Sequence, residues 1–212
     1  SKSKGNILDP LEIINVYGLD PLRYYLLKEV SFGNDGNISE EKLENCINSD
    51  LANNFGNLCQ RVFTFVKKNC GNKIPKGNKL NMKDEKLLND LKGNMKNLID
   101  AMNKQNLNEY IKTVVGYSFD ANKYFNDSEP WSVKKKDPER MKSILFTILE
   151  QIKNLSILLN PIIPIATGKV LTSMNLSTED ISIKSIIDKD VLNHDKELKN
   201  LEILFKKIEN DN

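Results

Sequence analysis

Residues 39–65 read SEEKLENCINSDLANNFGNLCQRVFTF, and this stretch decides the fold class. Ser39 followed by Glu40 and Glu41 is a helix start, because the hydroxyl can cap the first amides and the carboxylates favour the positive end of the helix dipole. Leu43, Ile47, Leu51, Phe55, Leu58, Val62 and Phe65 then recur at steps of four and three. That spacing predicts a single apolar stripe down one helix of about seven turns. Such a helix can bury its stripe only against other helices, so it reads as a bundle member.

Downstream, Gly71, Pro75 and Gly77 mark residues 71–81 as a loop. Leu87, Leu88, Leu91, Met95, Leu98 and Met102 predict one further helix. Asn106 and Glu109 have the spacing of a capping box before another, which carries Tyr110, Ile111, Val114, Ala121 and Phe125. Asp137-Pro138 opens a fourth long element through Met141, Ile144, Leu145, Ile148, Ile152, Leu155 and Leu159, closed by Asn160-Pro161. A shorter helix follows between Pro164 and Met174. Past residue 176 the apolar residues thin out, and Leu201, Ile203, Leu204 and Phe205 form a last patch expected to pack back on the bundle. Upstream, Asp9-Pro10 and Asp20-Pro21 predict two short capped helices, with Gly18 as the left-handed terminator of the first and a turn at 31–37 after the second. No strand pattern occurs. The fold class is therefore all-α: a helical connector at 1–38, an up-and-down helix bundle at 39–176, and a tail at 177–212.

Composition limits what such a bundle can do. The chain has 212 residues and 39% hydrophobic content, enough for a real core. Lys+Arg 31 against Asp+Glu 29 leaves +2, so any nucleic-acid site must come from local arrangement and not from bulk charge. Cys46, Cys59 and Cys70 fit neither a disulfide framework nor a metal knuckle, which predicts a reducing, cytoplasmic setting and no metal site. No apolar run reaches the roughly 20 residues needed to cross a bilayer, so no membrane partner is expected. His194 is the only histidine and reads as a surface residue.

Two groups of residues could carry chemistry. Ser1-Lys2-Ser3-Lys4-Gly5-Asn6 can fold over phosphates, with Lys2 and Lys4 offsetting charge as pyrophosphate leaves; it reads equally as a frayed basic terminus. Asn54, Asn57 and Arg61, at spacings of three and four, are expected on one helix face beside the apolar stripe. Their amides and guanidinium can bond the edges of unstacked bases. Trp131 lies in a Pro-Trp turn followed by Lys134-Lys135-Lys136, which offers stacking and phosphate attraction. The plain alternative makes Trp131 a plug over the bundle end, and Asn57 and Arg61 ordinary solvated residues.

The order of these segments resembles a known family. The opening Ser1-Lys2-Ser3-Lys4-Gly5-Asn6 is similar to the tail of the KMSKS loop of class I aminoacyl-tRNA synthetases, with the leading Lys-Met missing. Asp9-Pro10-Leu11-Glu12 and Tyr17-Gly18-Leu19-Asp20-Pro21-Leu22-Arg23-Tyr24-Tyr25 resemble the methionine, leucine, isoleucine and valine group. Phe32-Gly33-Asn34-Asp35-Gly36-Asn37, Glu129-Pro130-Trp131 and Asp137-Pro138-Glu139-Arg140 resemble methionyl-tRNA synthetases, and so does Leu204-Phe205-Lys206-Lys207-Ile208-Glu209. The resemblance implies that a catalytic Rossmann domain precedes residue 1. In the intact enzyme, methionine and ATP with Mg2+ would give methionyl-adenylate, and the methionyl group would pass to tRNA. Lys2 matches the lysine that contacts ATP and stabilises the transition state. This portion alone is expected to be catalytically inactive and to bind no cofactor stably. Asn57, Arg61 and Trp131 match the residues that read the CAU anticodon, so the implied partners are the anticodon stem-loop of the methionine tRNA and the catalytic domain of the same enzyme. A different class I synthetase and a free-standing helical module remain as alternatives.

Overall fold

The computed structural model describes residues 9–29, 39–177, 181–187, 192 and 194–209. Asp9 accepts the Leu11 amide at 2.9 Å and opens α1 (Pro10–Tyr17), and Gly18 ends it at φ 92° with its N–H bonded to Ile14 O. The second start differs from expectation. Asp20 does not cap α2 (Leu19–Glu29) but lies inside its first turn, buried. Its Oδ2 instead accepts the Ala166 amide at 2.7 Å, at the start of α10 (Pro164–Ser173), which has no side-chain cap of its own. A helix N-terminus buried against a neighbour must find its acceptor there. Burial pushes the Asp20 carboxyl above its ordinary value, although the Ala166 and Ile165 amides act against it.

The long helix is continuous but not regular. Ser39 Oγ accepts the Lys42 amide at 3.3 Å and starts α3 (Glu40–Cys46). The chain then widens into a π-helical segment (Ile47–Gly56) before returning to α4 (Asn57–Asn69). The single helix expected over residues 87–102 divides at Asn94 into α5 (Met82–Gly93) and α6 (Met95–Asn103). Gly93 and Asn94 are adjacent weak helix formers, and the break falls on them. The capping box expected at Asn106 and Glu109 does not form: Asn106 sits at ψ 66°, away from the extended backbone a cap requires, and bonds no amide with its side chain. The box is made two helices earlier, at the start of α5, where Asn81 and Asp84 cap each other reciprocally.

α7 (Leu107–Ser128) and α9 (Pro138–Leu159) are the longest regular α-helices among the described residues. Asp137 opens α9 by accepting the Arg140 amide at 2.9 Å. α9 packs against α4, α5, α7 and α10, and against α8 (Pro130–Val133) and α11 (Ile183–Ile187). Its Leu145, Ile148, Leu149, Ile152 and Leu155 are fully buried. Each such side chain contributes about 1.5–3 kcal/mol of transfer free energy, an upper estimate because denatured chains are themselves partly compact. Tyr24 and Tyr25 of α2 join the same core, and Arg23 fixes that helix by donating to Ile162 O at 3.0 Å and Pro161 O at 2.7 Å.

The last described residues run along the bundle. Lys73 and Glu197 form an isolated antiparallel bridge, and Lys199 N–H bonds Ser173 O at 2.8 Å. Asn48 of the π segment clamps the backbone of Ile208 through two bonds of 2.9 and 2.8 Å. No described helix is long and apolar enough to cross a membrane.

Candidate nucleic-acid interface

The interface begins where α7 ends. Glu129 takes a left-handed conformation at φ 41°, which stops α7 and lets Pro130 start α8 at once. The reversal brings Trp131 against Phe125 of the last α7 turns, edge to face, with ring centroids 5.9 Å apart. Phe125 is buried and touches two other groups as well. Phe65 of α4 meets it edge-on at 6.3 Å, and the Arg61 guanidinium lies 5.2 Å from its centroid. Arg61 Nη2 also donates to Asn126 Oδ1 at 2.7 Å. One ring therefore holds both Arg61 and Trp131, and the indole remains 39% exposed.

A second cation stands beside this group. Lys134 Nζ lies 5.7 Å from the Phe65 centroid and donates to Asn69 Oδ1 at 3.0 Å. Lys67, Lys68, Lys135 and Lys136 are exposed around it. Asn57, the first residue of α4, is exposed one turn before Arg61. The edge thus offers an indole face, a forked donor, an amide and several ammonium groups. Base stacking on such an aromatic is worth about 1–3 kcal/mol per base, and the guanidinium can present paired donors to a base or phosphate.

Of the residues singled out in the sequence, Arg61 and Trp131 are brought together, and Asn57 lies on the same helix face as Arg61. Asn54 is not part of this edge. It is fully buried, where its Oδ1 accepts from Ser118 Oγ at 3.0 Å and from Asn122 Nδ2 at 2.8 Å. Asn54 lies on the core side of the helix, and the wider π turns set Asn57 further round from it, so the spacing of three does not place the two side by side. Lys2 and the rest of the opening loop lie outside the described residues. Sequence reading missed Phe125, Phe65, Asn126 and Asn69. Both phenylalanines repeat at helical spacing and so read as core, and nothing local says that Arg61 would lean on one of them.

Titratable groups elsewhere serve packing. Burial pushes the Cys46 thiol up to about 12, beside the Asp50 carboxylate that accepts Tyr24 O–H at 2.8 Å and Lys28 Nζ at 2.9 Å. Among the described residues no group of three or more His, Cys, Asp or Glu side chains is placed to hold a metal ion.

The family models place this all-helical bundle among the tRNA-binding helical domains of class I synthetases. The family model for the anticodon binding domain of methionyl tRNA ligase matches residues 74–212, and the model for tRNA synthetases class I (M) matches residues 1–63. The chain belongs to the methionyl-tRNA synthetase family. It is 39% identical over 171 residues to a methionine–tRNA ligase of Brucella suis, a match that covers 81% of this chain and 33% of that protein. A methionine–tRNA ligase of Rickettsia felis is 35% identical over 214 residues, covering 100% of this chain and 42% of the relative. The structure of Mycobacterium tuberculosis methionyl-tRNA synthetase in complex with methionyl-adenylate superposes with a TM-score of 0.90 at 31% identity, over 96% of this chain and 40% of that one. The chain thus spans 33% to 42% of the length of these curated relatives.

Proposed function

We propose that this chain is the tRNA-reading portion of a methionine–tRNA ligase and that its aromatic edge recognises the CAU anticodon. The observation that carries the reading is the shared Phe125 ring, which has an exposed indole 5.9 Å and a guanidinium 5.2 Å from its centroid. Trp131 stacks on the first anticodon base, while Asn57 and Arg61 bond the edges of splayed bases. An asparagine amide supplies both a donor and an acceptor, and the arginine fork supplies donors only, so together they discriminate between base edges.

In the complete enzyme the preceding catalytic domain is the partner that activates methionine with ATP and Mg2+ and passes the methionyl group to tRNA. Lys2 contacts ATP there. Residues 1–38 connect that domain to the reading bundle at 39–176, and 177–212 form the tail. A cytoplasmic setting agrees with three free cysteines, two of them buried.

The test is fluorescence quenching of Trp131 as anticodon stem-loops are titrated at fixed, moderate salt. CAU is compared with a loop altered at its first anticodon base. A tenfold preference for CAU, about 1.4 kcal/mol, is expected, and Arg61→Ala and Trp131→Ala should each lose it while keeping full helicity; the second variant is followed by filter binding. Equal affinity of the two loops, or no binding, overturns the proposal.

A further inference from the structure

Most of the cations with described partners sit opposite a carboxylate. Lys28 faces Asp50, Lys86 faces Asp90, Lys123 faces Asp127, Arg140 faces Asp84, Lys142 faces Glu139 and Lys153 faces Glu150. Arg61 and Lys134 are held differently. Each is fixed by one aromatic ring and one side-chain amide oxygen: Arg61 by Phe125 and Asn126, Lys134 by Phe65 and Asn69. The arrangement is reciprocal. α4 sends its arginine to a ring and an amide of α7, and the segment after α8 sends its lysine to a ring and an amide of α4. Neither cation has a carboxylate within salt-bridge distance among the described residues.

A neutral clamp does two things that an ion pair does not. It removes much of the rotamer freedom of a long side chain before any ligand arrives, and it leaves the charge uncompensated. The Lys134 ammonium has three donors, of which Asn69 takes one. The remaining two face solvent, where a ligand oxygen can replace water. A compact ammonium recognises an anion as a point charge and carries no planar pattern for reading a base. Phe65 and Arg61 are four residues apart on α4, about 6 Å along its axis. The Phe65 and Phe125 ring centroids lie 6.3 Å apart, so Lys134 is held on the ring adjacent to the one that holds Arg61 and Trp131. Lys68, exposed on the same helix face three residues after Phe65, extends the positive potential in that direction.

We infer that Lys134, clamped by Phe65 and Asn69, is a separate subsite for a phosphodiester of the RNA strand, next to the base-reading group; the identity of the strand as an anticodon loop rests on the function proposed above. Lys134 adds affinity and register but no base preference, because a phosphate contact carries no sequence information.

The experiment measures the salt dependence of binding for the chain as it stands. Lys134→Met keeps an apolar stem on the Phe65 ring and removes only the charge, and Lys134→Arg restores it. For a single-stranded contact, the slope of log affinity against log salt is expected to fall by about 0.7 in Lys134→Met. Over a fourfold rise in salt the variant then loses about 2.6-fold less affinity than the parent. CAU and the altered loop should weaken by the same factor. A loop with one neutral methylphosphonate at the contacted position should weaken the parent and leave Lys134→Met unaffected. An unchanged slope in Lys134→Met, or a changed ratio of CAU to altered loop, overturns the subsite. If the parent binds both loops equally but Lys134→Met still flattens the slope, the anticodon reading fails and the phosphate subsite stands. If the parent binds neither loop, both fail.

Discussion

Replacing Asp84 with alanine should cost the bundle about 3–5 kcal/mol, the usual loss when one partner of a buried ion pair is removed. Asp84 is fully buried in the first turn of α5, and its carboxylate joins three other parts of the chain. Oδ2 accepts the Asn81 amide at 2.9 Å and closes the capping box; Oδ1 accepts Tyr124 O–H of α7 at 2.6 Å. The Arg140 fork of α9 bonds both oxygens, one of them at 2.7 Å. A cap is worth about 1 kcal/mol and a charge-assisted bond about 1.5–3, but groups sharing one carboxylate do not add, so the pair value is the better guide. At roughly 2–4 °C per kcal/mol for a chain of this size, the midpoint should fall by roughly 6–20 °C. Urea unfolding of Asp84→Ala, Arg140→Met and the double variant measures it. The double variant should lose clearly less than the sum of the two, because the second change removes a charge already stranded. A single-variant loss below about 1 kcal/mol, or full additivity, would refute the reasoning. The pH dependence gives a second check. Burial alone would raise the Asp84 carboxyl, but the bonds from Arg140, Tyr124 and the Asn81 amide outweigh it and hold it below its usual value. The unfolded state then binds the proton more readily, so the contribution is full above about pH 4, the unfolded carboxyl value, and is lost as pH falls through the lower folded value. The stability gap between parent and Asp84→Ala should shrink in that acid range and be flat from pH 5 to 7.

Three further outcomes follow from the same packing. Gly56→Ala puts a methyl 2.9 Å from Leu51 O, a backbone atom that cannot swing away, whereas Gly116→Ala meets nothing within 4 Å in the middle of α7; urea midpoints should show a loss of about 1–3 kcal/mol for the first and a gain of about 0.5–1 for the second. Asn54→Leu strands the groups of Ser118 and Asn122 that bond its carbonyl oxygen and should cost about 1–3 kcal/mol in the same assay. A thiol reagent at pH 8, followed by mass spectrometry, should label Cys70 first, because Cys46 and Cys59 are buried with thiol values pushed up by that burial and Cys70 is only half-buried.

The helices were legible because each strong local signal had no rival. Asp9, Ser39 and Asp137 cap as their sequences indicate, and Asn160-Pro161 closes α9. Failures came where a distant group competed for a local one. Asp20 resembles a cap for its own helix, but the uncapped start of α10 lies against it and takes its oxygen. Asn106 and Glu109 have the spacing of a box, yet the backbone leaves α6 at an angle that the spacing does not encode. In the proposed site, the residue types at Arg61 and Trp131 were readable, whereas the ring between them was not. Phe125 is apolar at helical spacing, and only tertiary folding shows that one of its neighbours is an arginine.

The π segment is the informative exception, since its signal was present in the stripe itself. Leu43, Ile47, Leu51 and Phe55 are four apart three times in succession, and all are buried. In a regular α-helix each step of four overshoots a full turn by about 40°, so three steps drift by about 120° and the last residue would leave the core face. A helix bonded i to i+5 takes more residues per turn, so each step of four falls short of a full turn and offsets the drift gained in α geometry. Cys46, Asp50 and Asn54 repeat at the same interval and are buried as well. This second line satisfies the polar groups that the widening carries inward: Asp50 meets Lys28 and Tyr24 of α2, and Asn54 meets Ser118 and Asn122 of α7. From Leu58 the steps shorten to four and three, α geometry returns, and Asn57 and Arg61 emerge on the solvent side of α4 facing α7. The direction of the proposed reading face is thus set upstream of it, by three steps of four residues and by the two polar side chains that pin them.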